Sequence, residues 1–356
     1  MTAQILDENK AEAFAGKMLD ILNHGAISIM ISIGHRTQIF DILATLPPST
    51  SQQIADAANL NERYVREWLG VMVTGGIIEY QAENNTYSLP PEHAAFLTQA
   101  ASPDNMAGFA QYIPLLATVE DKIIDCFHNG GGVPYSAYKR FHQVMAEDSG
   151  QTVVAALEEF ILPLIPGLET ELQNGIDVLD VGCGSGRALN SLAKQFPQSQ
   201  FTGYDFSEEA ITTAKNQAEK LGLTNIKFQI KDAATINEVS QYDLITTFDS
   251  VHDQAKPDAV LNGIFNALRS NGTYLMQDIR ASSNVNDNLE HPTAPFLYTI
   301  SCMHCMTVSL ANNGMGLGAM WGEEKALEML EAAGFSNVLI KQLEHDFQNN
   351  YYIVRK

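Results

Sequence analysis

The chain has 356 residues, 45% of them hydrophobic and 18% charged, the make-up of a globular protein long enough for two domains. Its formal charge of -21, from 42 acidic and 21 basic residues, opposes both nucleic-acid phosphates and anionic lipid. Four cysteines are too few for a disulfide framework, the acidic start with Asp7, Glu8 and Glu12 is unlike a secretory signal, and the apolar run from Gly25 to Ile33 is too short for a bilayer. These features predict a cytoplasmic protein with no membrane or nucleic-acid partner.

Up to about residue 170 the spacing of apolar residues is helical, for example over Ala11 to Met30 and Ala155 to Leu164. Pro47-Pro48 ends one helix, Ser51 is placed to cap the next (Gln52 to Ala58), and Asn61 begins a third that carries Val65, Trp68 and Leu69. A hairpin follows, Gly76 to Tyr80 and Thr86 to Leu89, turning at Glu83 to Asn85. Helix, turn, helix and a two-stranded wing form a winged-helix pattern, which raises DNA binding through the second helix. The charges oppose it. Residues 1–100 hold 5 Lys/Arg against 11 Asp/Glu, and on the would-be recognition helix Glu62 and Glu67 offset Arg63 and Arg66. The apolar faces around Ile21 to Ile33 exceed what one small module buries, which predicts a homodimer.

From Gly175 onward short β-branched runs alternate with helices: Ile176 to Val181, Phe201 to Tyr204, Lys227 to Ile230, Tyr242 to Thr247 and Tyr274 to Asp278. Such alternation predicts a parallel sheet covered on both faces. After a helix over Glu323 to Ala333, Val338 to Gln342 and Tyr351 to Val354 are joined by a short loop and should form an antiparallel hairpin at the end of the sheet.

The chemistry starts where the first of these strands ends. Asp180 leads into Gly182-Cys-Gly-Ser-Gly186 and a helix from Arg187, and glycines at 182, 184 and 186 let a ligand lie against backbone. The spacing differs from the G-x-G-x-x-G dinucleotide fingerprint. The second strand ends at Asp205-Phe206, 23 residues beyond Gly182, where an acid can hold a ribose diol; a helix cap is the competing reading. At the third strand end, Asp232-Ala233 can face a nucleobase or simply form a turn.

Taken in order, DVGCGSG, GYDFS, KDAA and YDLITTFDSVHD resemble the class I S-adenosylmethionine-dependent methyltransferases, over about residues 150–356. The helical first part makes the chain similar to bacterial methyltransferases with a winged-helix domain. The resemblance implies a seven-stranded Rossmann-like α/β sheet with an antiparallel C-terminal hairpin and a mainly helical winged-helix-like domain. It assigns the aminoacid end of the cofactor to Asp180 and the loop of Gly182, Cys183, Gly184 and Gly186. Asp205 with Phe206 would hold the ribose, Asp232 and Ala233 the adenine, and Phe248 and Asp249 would close the site beside the sulfonium. In related O-methyltransferases a His-Asp-Trp motif supplies a general base; here His252-Asp253-Gln254 stands without the Trp, which makes His252 the candidate base. Asp253 could orient the imidazole or cap the helix near Pro257.

Cys302-Met-His-Cys305 has no second ligand pair at zinc spacing, so the expectation is no metal, with Cys302 and Cys305 on one buried helix face beside Tyr298. Tyr298 and His304 are candidates for lining the acceptor pocket, and the glycine-rich 312–322 stretch for a flap. The predicted organisation is residues 1–100 as a winged-helix or dimerisation domain, 101–170 as a helical linker covering the substrate site, and 171–356 as the cofactor-binding catalytic domain. The predicted function is methyl transfer to a small-molecule acceptor, most readily O-methylation. N- or S-methylation and a cofactor-sensing regulator are the alternatives.

Overall fold

The structure, a computed structural model, describes residues 6–344 and 346–356. The chain divides into two compact units, residues 1–114 and 115–356. In the first, α1 (Glu8–Arg36) opens with Asp7 capping the Lys10 amide and runs beyond both ends of the predicted helix. Helices α2 (Ile39–Thr45), α3 (Ser51–Ala58) and α4 (Glu62–Thr74) follow, then the strands β1 (Glu79–Gln81) and β2 (Thr86–Ser88) and α5 (Pro91–Leu97). The cap of α3 is Thr50 rather than Ser51. Its hydroxyl accepts from Gln53 N while the Gln53 side chain accepts from Thr50 N, a reciprocal capping box worth about 1 kcal/mol. The first unit closes over Phe40, Ile54, Trp68, Leu69 and Met72. The Trp68 indole also donates to Met30 O at 2.9 Å, fixing α4 against α1. Most of α1 is left out of that core: Phe14, Leu19, Ile21 and Leu22 are at least half exposed.

The division between the units falls within α6 (Tyr112–Ala117), and α7 (Glu120–Asn129) and α8 (Phe141–Ser149) follow. The segment predicted as an α-helix over Ala155 to Leu164 is instead a π-helical stretch, Leu157–Ile161, and a 3-10 turn, Leu162–Leu164, and a further π-helical stretch, Gly150–Val154, precedes it. Pro163 cannot donate a backbone hydrogen bond, and so ends regular winding there.

A seven-stranded sheet then forms the second unit, with β3 (Asp177–Val181), β4 (Gln200–Asp205), β5 (Ile226–Ile230), β6 (Tyr242–Phe248), β7 (Leu268–Ile279), β8 (Leu339–Leu343) and β9 (Asp346–Arg355). Their spatial order is β5-β4-β3-β6-β7-β9-β8, parallel through β7 and antiparallel for the last two, so the terminal hairpin inserts β9 between β7 and β8. After α9 (Leu168–Asn174), the helices α10 (Arg187–Gln195), α11 (Glu208–Lys220), α12 (Pro257–Ala267), α13 (Ala294–Ile300), α14 (Met306–Ala311) and α15 (Gly322–Ala332) complete it. Leu179, Ile245, Tyr274 and Met276 pack one face of the sheet onto α12 and α15, and Val178, Leu244, Leu275 and Tyr351 pack the other onto α10 and α11. Alternation along each parallel strand thus buries both faces. Residues 294–311 are long and apolar enough by composition to cross a membrane, yet nearly half of that stretch is buried within the fold and a π-helical turn, Ser301–Cys305, breaks it. Strand order reverses between β3 and β6, and the diverging loops beyond their carboxyl ends open a crevice there.

Candidate active site

At that crevice lies a cavity of about 470 Å³, within the range of small-molecule sites. Asp180, Gly182, Cys183, Gly184, Asp205, Phe206, Asp232, Ala233, Phe248 and Asp249 all line it, so ten of the sequence-derived cofactor residues meet on one wall. The glycines there serve different ends. Gly182 has φ +77°, and a Cβ on it would lie 2.5 Å from Ser250 Cβ. Gly184 has φ +51° and nothing within 4 Å of where a Cβ would stand, so its bare backbone faces open space. Gly186 is not on the wall; it packs on Phe228 and Ala214 and starts α10.

Asp205 is held at the tip of β4 by two amides, Gly184 N on Oδ2 at 2.9 Å and Ser207 N on Oδ1 at 2.8 Å. The helix-cap reading goes to Ser207, whose hydroxyl accepts from Ala210 N. Asp232 does form a turn, accepting from Ala234 N at 2.9 Å, while still lining the cavity. Asp180 accepts from the Thr246 hydroxyl at 2.8 Å; burial, with Asp205 nearby, raises its pKa to about 7 despite that bond. Burial also raises Asp205 and pushes Asp253 to about 6.

Five carboxyl groups, those of Asp180, Asp205, Asp232, Asp249 and Asp253, thus face one cavity. Against them stand three Lys/Arg on the same wall: Lys231, paired with Glu238 at 2.6 Å, Arg187, which donates to Ala146 O, and Lys256. Such a wall repels a pyrophosphate and attracts a cation, which would return the raised Asp180 and Asp205 to their ionised form. S-adenosylmethionine carries positive charge on its sulfonium and ammonium groups, so the donor set fits it and disfavours a dinucleotide.

The comparisons with known proteins agree. Residues 172–334 match the family model of a methyltransferase domain, and residues 25–99 match that of an Rv2258c-like winged HTH domain. The chain thus carries a methyltransferase domain preceded by a winged-helix domain, the organisation that its resemblance to the class I S-adenosylmethionine-dependent methyltransferases implies. The ubiquinone biosynthesis O-methyltransferase of Coxiella burnetii is 32% identical over 127 residues, 35% of this chain and 49% of that protein, so the chain spans about half the length of the curated relatives it matches. Human N-acetylserotonin methyltransferase in complex with S-adenosylmethionine has the same fold, with TM-score 0.67 and 17% identity, covering 100% of this chain and 99% of that one. A mitomycin 7-O-methyltransferase superposes with TM-score 0.69 at 17% identity, covering 98% of this chain and 100% of that one.

In this methyltransferase domain His252 lies behind the cavity wall, 4% exposed, while its neighbours Ser250, Asp253 and Gln254 lie on it. Its Nδ1 is 2.8 Å from Asp278 Oδ1, and the Trp321 indole donates to the same oxygen at 3.0 Å. Burial works against a charged imidazole, but Asp278 and the hydrogen-bonded Cys305 thiol outweigh it, and the His252 pKa lies well above the ordinary value. Asp253 does not cap the following helix, which begins after Lys256 without a side-chain cap.

Tyr298 is away from the cavity: it hydrogen-bonds Asn288 and packs with Ala281, Leu297 and Met320. His304 is not on the wall either. Its ring stacks on Phe141 at 3.4 Å, and Phe141 does line the cavity. Both His304 ring nitrogens are buried without a partner, and burial holds its pKa well below the ordinary value.

Cys302 and Cys305 do not share one face. The π-helical turn sends Cys305 into the interior at His252, and Cys302 to a second cavity of about 580 Å³ with Cys126 and Phe127. Burial raises the Cys183 thiol, which argues against reactivity. The glycine-rich 312–322 stretch is pinned rather than free, since Met315 N donates to Ala255 O and Gly318 N to His252 O.

Sequence reading missed Tyr135, His142, Asp278 and Trp321. His142 reaches Ser207 Oγ at 3.0 Å beside the cavity, and Tyr135 stands edge-on to Phe206. No local motif marks these residues, because α8 and the strand ends bring them together only in three dimensions.

Proposed function

We propose that this protein transfers a methyl group from S-adenosylmethionine to a hydroxyl of a small molecule, with His252 as the base. What carries the reading is the carboxyl-lined cavity at the β3/β6 crevice, with a buried imidazole–carboxylate pair directly behind it. When bound, the cofactor supplies an electrophilic methyl group on a sulfonium sulfur. Asp180 and the Gly182–Gly184 backbone would hold its aminoacid end, Asp205 with Phe206 the ribose, and Asp232 with Ala233 the adenine. Asp278 accepts the His252 Nδ1 proton and orients the ring, and taking the proton of the acceptor hydroxyl requires the imidazole in its neutral form with the Cys305 contact released.

A second reading has its own support. Asp253 lies on the wall itself, and with a pKa near 6 it is poised as a base at neutral pH. The two separate on substitution: H252A should reduce kcat at least about 100-fold with cofactor affinity within twofold, whereas D253N should be the milder lesion. The reverse order would move the base to Asp253. N- or S-methylation is the competing chemistry, and an acceptor screen with labelled cofactor distinguishes it.

The first unit we read as a dimerisation module in a cytoplasmic enzyme with no nucleic-acid or membrane partner. Support comes from the apolar residues exposed along α1 and from α4, where Glu67 pairs with Arg63 and Glu62 with Arg66, leaving no excess positive charge for DNA. We keep the three predicted segments, 1–100, 101–170 and 171–356, as the functional organisation; by compactness the chain divides at residue 114, which groups most of 101–170 with the segment that follows.

A further inference from the structure

The ends of β6 and β7 bring Asp249, His252 and Asp278 together, each offering an atom within 4.8 Å of those of the other two. The two oxygens of the buried Asp278 are used unequally. Oδ1 meets His252 Nδ1 at 2.8 Å, the Trp321 indole at 3.0 Å and the Ile279 amide at 2.8 Å, while Oδ2 is buried with no partner. Asp249 Oδ1 is also buried with no partner. Its backbone is in the left-handed region, φ +48°, which Asp adopts more readily than most residues, and its amide is tied to Gln277 O at 3.0 Å.

Two carboxylates this close and shielded from water cannot both stay ionised. The other groups facing them do not supply the missing charge. Asp148 and Asp346 add negative potential at Asp249, and Asp253, Tyr274 and Tyr352 face Asp278. His252 is the single base of the group, and its charge is matched by one carboxylate. A divalent cation at this place would have to displace the His252–Asp278 hydrogen bond to reach the imidazole Nδ1.

We propose that Asp249 and Asp278 hold one proton between them, and that Asp249 is thereby a positioning residue for His252. The Asp249 hydroxyl donates to Asp278 Oδ2, and the one remaining negative charge is shared over Asp278, where it fixes the imidazole and the indole. Asp249 acts through Asp278 and keeps that carboxylate from turning toward the cavity. The role in catalysis rests on the reading of His252 as the base, but the proton itself can be tested without turnover.

Infrared difference spectra of the full-length protein at neutral pH, wild type against D249N, should show the loss of one protonated-carboxyl C=O band. If D249N does not fold, D278N should lose the same band. Spectra that superimpose in that region would overturn the proposal, as would one equivalent of divalent metal in the purified protein that disappears in D249N. In turnover, the carboxamide of D249N can still donate to Asp278, so D249N should exceed D249A at least tenfold in kcat. D249A should also shift the pH profile of kcat. Equal losses in both variants would contradict the positioning role. An active-site failure of the general reading would show differently, as absence of turnover in the wild type with the infrared band intact.

Discussion

The glycine loop offers a way to separate what the fold needs from what the ligand needs. In G182A the new Cβ would sit 2.5 Å from Ser250 Cβ and 2.7 Å from its Oγ, and that hydroxyl is already donating to Val181 O at 2.8 Å. An alanine forced into the left-handed region costs roughly 1–2 kcal/mol. Relieving the contact with Ser250 costs roughly 1–3 kcal/mol more. For a domain of this size that is a fall in melting temperature of about 5–15 °C. G184A carries the backbone cost alone, because its Cβ meets nothing within 4 Å, but that Cβ projects from the cavity wall. It should melt closer to wild type and bind S-adenosylmethionine at least about tenfold more weakly, since the space it fills is the cofactor's. Thermal melts and calorimetric titration of both variants check the pair. Undiminished cofactor affinity in G184A would refute the placement of the cofactor on this loop, and a wild-type melt for G182A would refute the packing argument.

Cofactor binding should tighten as pH rises through about 7, because Asp180 is raised to that value in the free protein and a cationic ligand favours its ionised form. Titrations from pH 6 to pH 8 should show this, and D180N should flatten it. The sign for stability is opposite. The raised group favours the ligand-free fold below its ordinary value of 3.8, and that contribution is lost as pH climbs through about 7, which melts across the same range can follow. D278N should lower kcat about 10- to 100-fold with cofactor affinity preserved, because it unties His252 without touching the cavity wall. Replacing Leu19 and Leu22 with lysine should convert a dimer to a monomer in analytical ultracentrifugation, and a wild type that sediments as monomer would remove the role given to α1.

The strand segments and the residues of the cavity wall were legible in the sequence because both are local. A strand end and the turn after it carry their own residues, so Asp180 to Gly184, Asp205 and Asp232, grouped by the resemblance of their motifs to the methyltransferases, do line one cavity. Gly186 was assigned to the cofactor on the same grounds, yet its missing side chain makes room for Phe228. The failures involve partners distant in sequence. Asp278 reads as the last residue of an apolar strand, and only the neighbouring β6 loop turns it into the anchor of His252. The segment from Ala155 to Leu164 has helical spacing, but spacing does not separate an α-helix from π-helical turns. Likewise Cys302 and Cys305, three apart, share a face in an α-helix, and the π-helical turn sends them apart.

The central claim is methyl transfer, and its most direct test follows the methyl group. Wild-type protein incubated with methyl-tritiated S-adenosylmethionine and a small-molecule extract should place label in an organic-soluble product, with S-adenosylhomocysteine formed in equal amount and H252A silent. Tight cofactor binding with neither labelled product nor S-adenosylhomocysteine across hydroxyl, amine and thiol acceptors would contradict it.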